Sequence, residues 1–317
     1  MLNRHQSAGK KDKASDIKGP IFAIVTPFNS SGDVDFAALA DYLRFLDRAG
    51  APTLVVNGTT GEFPSMTLDE RQAVVEFCHG HFPGRLIANV TGCCFKDCQS
   101  LLEHACAGVA DAAMLLPPFF YAEATFEGLL DFYQAAIAKS TIPLFLYNFP
   151  KHTRIEVTPE LFAAICEKND RVRGIKDSGG NLDNALAYKS ARPDIQVFVG
   201  NDSLAFATLE NGLDGSVTGA GNPVPECLVG LTRAYATGRR DDALNWQRVT
   251  DGWRSYRKDL GIPEIAVAKA GLAARIPGFP TYLRPPLSSP DRETVERIAE
   301  HMARKVLPAI AAVSAGV

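Results

Sequence analysis

The chain has 317 residues, of which 46% are hydrophobic and 22% are charged, a composition typical of a globular protein. Its formal net charge of −3 provides no general attraction to nucleic acid or to an acidic membrane surface. The seven cysteines are odd in number and include no CxxC pair, which disfavours a disulfide framework and a zinc site.

Residues 1–16 are polar and rich in lysine, and they contain no apolar core of a secretory signal. We predict a disordered tail over this stretch. No run in the chain approaches the roughly 18 apolar residues that a membrane-spanning helix needs. The sequence therefore predicts a cytoplasmic protein that binds neither membrane nor nucleic acid.

Eight short apolar runs predict strands. They show little alternation of polar and apolar residues, as expected of parallel strands that helices cover on the outside. In chain order the runs are 21–26, 53–57, 86–90, 112–116, 144–147, 172–176, 196–200 and 215–218.

Helical patterns lie between many of these strands. Thr67 and Glu70 form the sequence of a capping box, and Thr158 followed by Pro159 is a typical helix start. Other predicted helices span 35–49, 181–190, 203–211 and 225–237. From residue 241 onward the pattern is purely helical, with segments at 241–260, 263–275 and 290–312.

Successive strand–helix units predict a (β/α)8 TIM barrel over residues 17–240, with a C-terminal helical appendage over 241–317. The first loop lacks the GxGxxG motif of a dinucleotide-binding sheet. In a barrel of this kind, functional groups lie where the strands end and in the loops that follow.

Lys176 is the most informative strand-end residue. It follows an apolar run, so its amine should project into the barrel mouth from a wall that excludes water. A lysine in that setting is more readily neutral, and the neutral amine is the form that attacks a carbonyl. Tyr147 ends the preceding strand and could relay protons beside it. The alternatives are a solvated surface lysine and a tyrosine that only seals the core.

Two loop types suggest anion binding. Gly58-Thr59-Thr60-Gly61 predicts a tight turn whose backbone N–H groups could hold a carboxylate, although an ordinary loop is the commoner use of such a tetrapeptide. The loops at 200–202 and 219–221 occupy the usual phosphate position of a barrel, yet Asp202 disfavours a phosphorylated substrate. His79 and His81 fall at a helix end away from the mouth, so no metal is expected.

Five motifs, in this order and spacing, are similar to those of the dihydrodipicolinate synthase and N-acetylneuraminate lyase family of pyruvate-dependent class I aldolases. The resemblance extends from about Pro20 to Leu287. The motifs are Thr26-Pro27-Phe28, Gly58-Thr59-Thr60-Gly61-Glu62, Tyr147-Asn148-Phe149-Pro150, Gly174-Ile175-Lys176-Asp177 and Gly200-Asn201-Asp202.

The resemblance implies a role for several residues. Lys176 corresponds to the lysine that forms a Schiff base with pyruvate, Tyr147 to the catalytic tyrosine and Thr59 to its hydroxyl relay. Thr60, in the same turn as Gly58, corresponds to the position that binds the pyruvate carboxylate, and the Val217 backbone borders pyruvate. The family implies a homotetramer built from dimers and a reaction that needs no metal or organic cofactor.

Departures from the family pattern narrow the range of substrates that the resemblance implies. Dihydrodipicolinate synthases carry an arginine where this chain has His152, and Arg154 lies two residues further on. The family's interface tyrosine is matched most nearly by Phe120, with Tyr121 one position away. Two motifs, Gly61-Glu62-Phe63-Pro64 and Lys176-Asp177-Ser178-Gly179-Gly180, look like 4-hydroxy-2-oxoglutarate aldolases, whereas Tyr147-Asn148-Phe149-Pro150 looks like 2-keto-3-deoxy sugar acid aldolases.

The sequence thus predicts an aldolase that releases pyruvate and an aldehyde from a 4-hydroxy-2-oxo acid. His152, Ser178 and Asn201 are the residues predicted to contact the aldehyde half. Three alternatives stay open. The chain is a dihydrodipicolinate synthase, or a dehydratase or deaminase that uses the same imine; a metal-dependent class II aldolase; or a non-catalytic barrel that binds pyruvate.

Overall fold

The computed structural model describes residues 17–316, so the tail predicted over 1–16 lies outside the described residues. Eight parallel strands close into a barrel in chain order, with the eighth strand pairing with the first. The predicted (β/α)8 architecture is therefore confirmed. The strands are β1 (Ile21–Ala23), β2 (Thr53–Val56), β3 (Arg85–Asn89), β4 (Ala112–Leu115), β5 (Leu144–Asn148), β6 (Val172–Asp177), β7 (Gln196–Val199) and β8 (Gly215–Thr218).

The carboxyl ends of seven strands differ from the prediction by one to three residues, and β8 has the predicted bounds. β1 stops at Ala23 instead of reaching Thr26, whose hydroxyl donates a hydrogen bond of 2.8 Å to the Gly61 carbonyl. β2 stops before Asn57, because that residue adopts a left-handed conformation with φ 58° that a strand cannot continue. Both departures lie at the barrel mouth, where the backbone leaves the sheet to form loops.

The helices follow the strands around the outside of the barrel. They are α1 (Phe36–Arg48), α2 (Leu68–His81), α3 (Phe95–His104), α4 (Phe126–Ile137), α5 (Pro150–Thr153), α6 (Pro159–Glu167), α7 (Leu182–Ala191), α8 (Ala205–Glu210), α9 (Pro225–Ala236), α10 (Arg240–Asp259), α11 (Glu264–Ala273), α12 (Arg292–His301) and α13 (Leu307–Ala315).

The predicted helix starts at Thr67 and Thr158 are confirmed. Thr67 and Glu70 make both hydrogen bonds of a capping box at the start of α2. The Thr158 hydroxyl accepts from the Leu161 N–H at the start of α6. Sequence analysis missed α3, α4 and the short helix α5. Helix α3 has no side-chain cap, since Cys94 occupies that position, and a π-helical segment containing Gly108 with φ 102° ends it.

The C-terminal helices form the predicted appendage. Their apolar faces share one core with α8 and α9, in which Trp246, Trp253 and Met302 pack among the barrel residues Leu228 and Leu231. The division of the chain at residue 240 stays a prediction; α10 begins there. No helix within residues 17–316 is both long and apolar enough to cross a membrane. The cytoplasmic location stays a prediction.

Candidate active site

A cavity of about 390 Å³ opens at the carboxyl ends of the barrel strands. Barrel topology explains this position, since the strand ends and their loops converge on one mouth. Most residues predicted for the site line the cavity. They are Thr59, Thr60, Tyr147, His152, Lys176, Ser178, Asn201 and Val217.

The Lys176 amine lies against the ring of Tyr147. The two residues are direct partners in the pairing of β5 with β6, and their side chains leave the strands toward the same space. The Nζ atom is 4.0 Å from the ring centroid, and both residues are buried, at 6% and 2% exposure. The two side chains are therefore neighbours, as the sequence predicts from the order of β5 and β6.

A second pair of strand-end residues fixes the ends of β5 and β6. Asn148 and Asp177 are the next partners in the register, and the Asn148 amide donates to the Asp177 carboxylate at 2.7 Å. The Gly179 N–H donates to the same carboxylate oxygen at 3.0 Å. Burial raises the pKa of Asp177, and these hydrogen bonds oppose that rise. The pair holds the strands in the register that brings Tyr147 to Lys176.

The turn at 58–61 forms as predicted. The Gly61 N–H donates to the Gly58 carbonyl at 3.0 Å, and the next N–H donates to the Thr59 carbonyl at 3.1 Å. Thr60 packs so closely on Gly219 that a Cβ there would lie 2.2 Å from the Thr60 hydroxyl. Only glycine permits this approach, which brings the turn after β2 against the loop after β8. Gly58 itself packs on Val55 and does not line the cavity.

The loops after β6 and β7 meet at Ser178. A Cβ on Gly200 would lie 2.1 Å from its hydroxyl, so glycine again allows the contact. The Asn201 side chain accepts from the N–H and the hydroxyl of Ser203, which orients it as a cap at the cavity wall. Asp202 is buried and accepts from the Thr218 hydroxyl at 3.0 Å; burial raises its pKa, opposed by the charge of Arg257.

His152 lies at the rim of the cavity on the short helix α5. Its ring packs edge-on against Phe149, with centroids 4.3 Å apart. Partial desolvation, and then the charge of Lys151, lower the pKa of His152. The imidazole is therefore largely neutral at pH 7. Arg154 is exposed, adopts a left-handed conformation and does not line the cavity.

Sequence analysis missed a group of charged residues from the C-terminal helices. Arg254 and Arg257 of α10 and Glu264 of α11 line the cavity opposite the strand ends. Arg257 is almost fully buried, 3.8 Å from Asp202 and 3.4 Å from Glu264, and its Nε has no hydrogen-bond partner. The spacing of three residues between the two arginines places both on one face of a helix, but it does not indicate that this face lines the cavity.

The loop after β4 carries aromatic residues beside the mouth. Phe119 packs edge-on against Phe63 with centroids 6.2 Å apart, whereas Phe120 and Tyr121 are 77% and 71% exposed. No group of three or more His, Cys, Asp or Glu side chains arranged to hold a metal ion occurs within the described part of the chain.

The sequence matches one protein family and relatives with two different activities. The sequence model of the dihydrodipicolinate synthetase family matches residues 16–304. The chain is 30% identical over 294 residues to the probable 2-dehydro-3-deoxy-D-pentonate aldolase YjhH of Escherichia coli (strain K12), covering 88% of this chain and 94% of that protein. It is 31% identical over 286 residues to a 4-hydroxy-tetrahydrodipicolinate synthase of Chelativorans sp. (strain BNC1), covering 89% and 96%.

A solved structure shares the fold. YagE of E. coli K12, a prophage protein of the dihydrodipicolinic acid synthase family in complex with pyruvate, superimposes with a TM-score of 0.83. The two sequences are 24% identical, and the match covers 90% of this chain and 97% of that one.

Proposed function

We propose that this chain, which belongs to the dihydrodipicolinate synthetase family, is a class I aldolase that cleaves a 4-hydroxy-2-oxo acid into pyruvate and an aldehyde. The family match confirms the resemblance predicted from the sequence, and with it the prediction that the chain is a pyruvate-dependent lyase. The observation that carries the proposal is the buried Lys176 amine, 4.0 Å from the centroid of the Tyr147 ring inside the cavity.

The reaction begins at Lys176. Its neutral amine attacks the C2 carbonyl of the oxo acid, and the resulting carbinolamine loses water to give a protonated imine. The imine then supplies the electron sink for bond cleavage, so the proposed chemistry needs no other cofactor.

Cleavage follows when a base removes the proton of the C4 hydroxyl. We assign this step to Tyr147, with Thr59 as the hydroxyl that relays the proton, since both line the cavity beside Lys176. The C3–C4 bond breaks, its electrons move to the imine nitrogen, and the aldehyde leaves. Protonation of the enamine at C3 and hydrolysis of the imine then release pyruvate and the free amine.

The two ends of the substrate fit two sides of the cavity. We assign the C1 carboxylate to Thr60 and the turn that begins at Gly58, next to the backbone of Val217. The aldehyde half then extends toward Ser178, Asn201 and His152. Arg254 lies beyond it, beside Arg257 and Glu264, so the far end of the substrate meets charged side chains of the C-terminal helices.

His152 favours an aldolase over a synthase. A neutral imidazole at the rim cannot form the bidentate grip on a carboxylate that an arginine provides. Arg154 does not line the cavity and offers no replacement. A second candidate, 4-hydroxy-tetrahydrodipicolinate synthase, is favoured by the 31% identity to the Chelativorans enzyme.

Borohydride trapping tests the proposal. The protein is incubated with pyruvate and sodium borohydride, and the adduct is located by peptide mass spectrometry with Lys176→Ala as the control. We expect one adduct, on Lys176. Pyruvate release from 2-keto-3-deoxygluconate and 4-hydroxy-2-oxoglutarate is then compared with condensation of pyruvate and aspartate semialdehyde. Absence of an adduct on folded protein would refute the class I mechanism, and condensation alone would favour the synthase.

We also propose that the chain assembles as a homotetramer of two dimers. Support comes from the adjacent aromatic side chains Phe120 and Tyr121, which are 77% and 71% exposed, because exposed apolar groups that lie together often mark a protein–protein contact. The partner here is a second copy of the chain, as in most soluble oligomers.

A further inference from the structure

A fully buried ion pair lies behind the turn that carries Thr59 and Thr60. The Lys269 Nζ is 2.6 Å from the Glu62 carboxylate, and both side chains are 0% exposed. Burial lowers the pKa of Lys269 to about 8, opposed by the charge of Glu62. Neither residue lines the cavity. Buried ion pairs contribute little to stability, because desolvation of the two charges offsets their attraction. Stability alone therefore does not explain why this pair is buried behind the turn.

Within residues 17–316, both oxygens of the Glu62 carboxylate have partners from the C-terminal region. One oxygen accepts from Lys269 of α11, and the other accepts from the backbone N–H of Arg284 at 3.0 Å. Lys269 also donates to the Tyr282 carbonyl at 2.7 Å. The segment from α11 to Arg284 therefore holds Glu62 from both sides.

The backbone of Glu62 needs this support. Glu62 directly follows Gly61 and adopts a left-handed conformation with φ 59°, which residues with a Cβ disfavour. Its N–H donates to the Thr59 carbonyl at 3.1 Å, so its conformation fixes the end of the turn. Strained backbone persists only where surrounding contacts hold it.

The first loop of the barrel completes the arrangement. Thr26 donates its hydroxyl to the Gly61 carbonyl at 2.8 Å. The ring of Phe28 contacts two cations, with its centroid 4.4 Å from Lys269 Nζ and 4.3 Å from the Arg284 guanidinium carbon. The Thr26-Pro27-Phe28 motif thus belongs to the same support.

We infer that the Glu62–Lys269 ion pair is a positioning device that holds Thr59 and Thr60 in the geometry the reaction uses. The inference rests on the proposed function, because it assigns the pair a role through the two threonines of that site. A C-terminal helix thereby controls a turn between β2 and α2.

The test compares Glu62→Gln, Lys269→Met and the double variant with the wild type. Glu62→Gln keeps the shape of the side chain, and the double variant leaves no unpaired buried charge. We expect the Glu62→Gln and double variants to fold. We also expect the pyruvate concentration for half-maximal trapping on Lys176 to rise about tenfold. A rise of this size corresponds to the loss of one hydrogen bond from the turn to the pyruvate carboxylate. The turnover number for aldol cleavage should fall as well.

Lys189→Met is the matched control. Lys189 pairs with Asp214 at 3.1 Å near the amino ends of the strands, far from the mouth, so its loss lowers stability without moving the turn. We expect its half-saturation for pyruvate to equal that of the wild type. If Glu62→Gln and the double variant also keep the wild-type half-saturation and turnover, the inference is wrong.

Hydrogen exchange of the unliganded protein separates this inference from the proposed function. In Glu62→Gln we expect faster exchange over residues 57–66, with other strand-end loops unchanged. Unaltered exchange there would overturn the positioning role whatever the substrate is. A wild-type protein that forms no adduct, yet shows the faster exchange in the variant, would refute the aldolase and leave the positioning of the turn in place.

Discussion

Lys176 has an aromatic ring as its immediate neighbour. Its Nζ lies 4.0 Å from the centroid of Tyr147, and the neighbouring carboxylate of Asp177 is engaged by Asn148 and Gly179. In the proposed reaction, the protonated imine that forms on this amine lies against the face of the Tyr147 ring, which attracts a cation.

Tyr147→Phe separates the ring from the hydroxyl. The substitution keeps the aromatic contact with Lys176 and removes the group assigned to proton transfer at C4. We expect pyruvate to be trapped on Lys176, while the turnover number for aldol cleavage falls by about 10²- to 10⁴-fold, as for loss of a general acid–base group. Steady-state kinetics and borohydride trapping measure the two effects. Cleavage at the wild-type rate would remove Tyr147 from the mechanism.

Arg254 provides a test of which aldehyde the cavity accepts. It lines the wall beyond the aldehyde half, and 4-hydroxy-2-oxoglutarate carries a carboxylate at that end whereas 2-keto-3-deoxygluconate carries a hydroxymethyl group. We expect Arg254→Ala to lower kcat/KM for the dicarboxylate about tenfold, the value of a charged hydrogen bond, and to change that for the sugar acid little.

Arg248→Ala is the control for this prediction. Arg248 lies on the same helix, is exposed and does not line the cavity, so its loss removes the same charge without touching the substrate. Equal losses for both substrates in Arg254→Ala would mean that the arginine does not recognise the distal group.

At the scale of elements, helix α2 is fastened to the C-terminal segment by Glu70. The carboxylate completes the capping box and accepts two hydrogen bonds from the guanidinium of Arg284. Hydrogen bonding to Arg284 lowers the pKa of Glu70 to about 2. Because the folded-state pKa lies below that of the unfolded chain, this stabilisation is present above about pH 4.5 and is lost as the pH falls toward 2.

Glu70→Gln should therefore be less stable than the wild type at neutral pH by about 1 kcal/mol, since the pair is partly exposed and screened by solvent. Glutamine keeps the capping box, so the loss reports the ion pair alone. We expect the difference to shrink between pH 7 and pH 3.5. Urea unfolding at both pH values measures it, with Asp69→Asn of the same turn as control. A difference independent of pH would contradict the assignment.

Site residues on neighbouring strands could be predicted from the sequence, whereas site residues on distant C-terminal helices could not. Lys176 and Tyr147 could be predicted because each ends a buried run, and a barrel brings neighbouring strand ends together. Arg254 and Lys269 could not, because their positions depend on how α10 and α11 dock across the mouth. Patterns of hydrophobic residues give the type of an element, and they say little about such long-range docking.

At the scale of the whole molecule, the barrel could be predicted from the sequence, but the exposed aromatic residues on its surface could not. Eight apolar runs in succession leave few arrangements other than a closed parallel sheet, which the structure has. Helix α4 was missed although Thr125 caps it, because the aromatic loop before it obscures the start. The same loop leaves Phe120 and Tyr121 facing outward, and their exposure became visible only in the folded chain.

This aromatic pair predicts the behaviour of the assembled protein. Phe120 and Tyr121 pack edge-on with ring centroids 5.4 Å apart, and together they form an apolar surface that water covers in a single chain. In the proposed assembly, burial against a second copy would remove that surface from water, and this burial would drive the association. We expect the wild type to sediment as a tetramer, and the Phe120→Ser/Tyr121→Ser double variant to sediment as smaller species.

Tyr282→Ser is the control, since Tyr282 is also an exposed aromatic residue, at 45%, but lies on the C-terminal segment. We expect it to keep the wild-type sedimentation coefficient, because its loss removes a similar ring without touching the loop after β4. Sedimentation velocity at several protein concentrations distinguishes dissociation from unfolding, and circular dichroism checks that the double variant is folded. A wild-type protein that sediments as a single chain would refute the tetramer. A double variant that stays tetrameric would move the interface away from this loop.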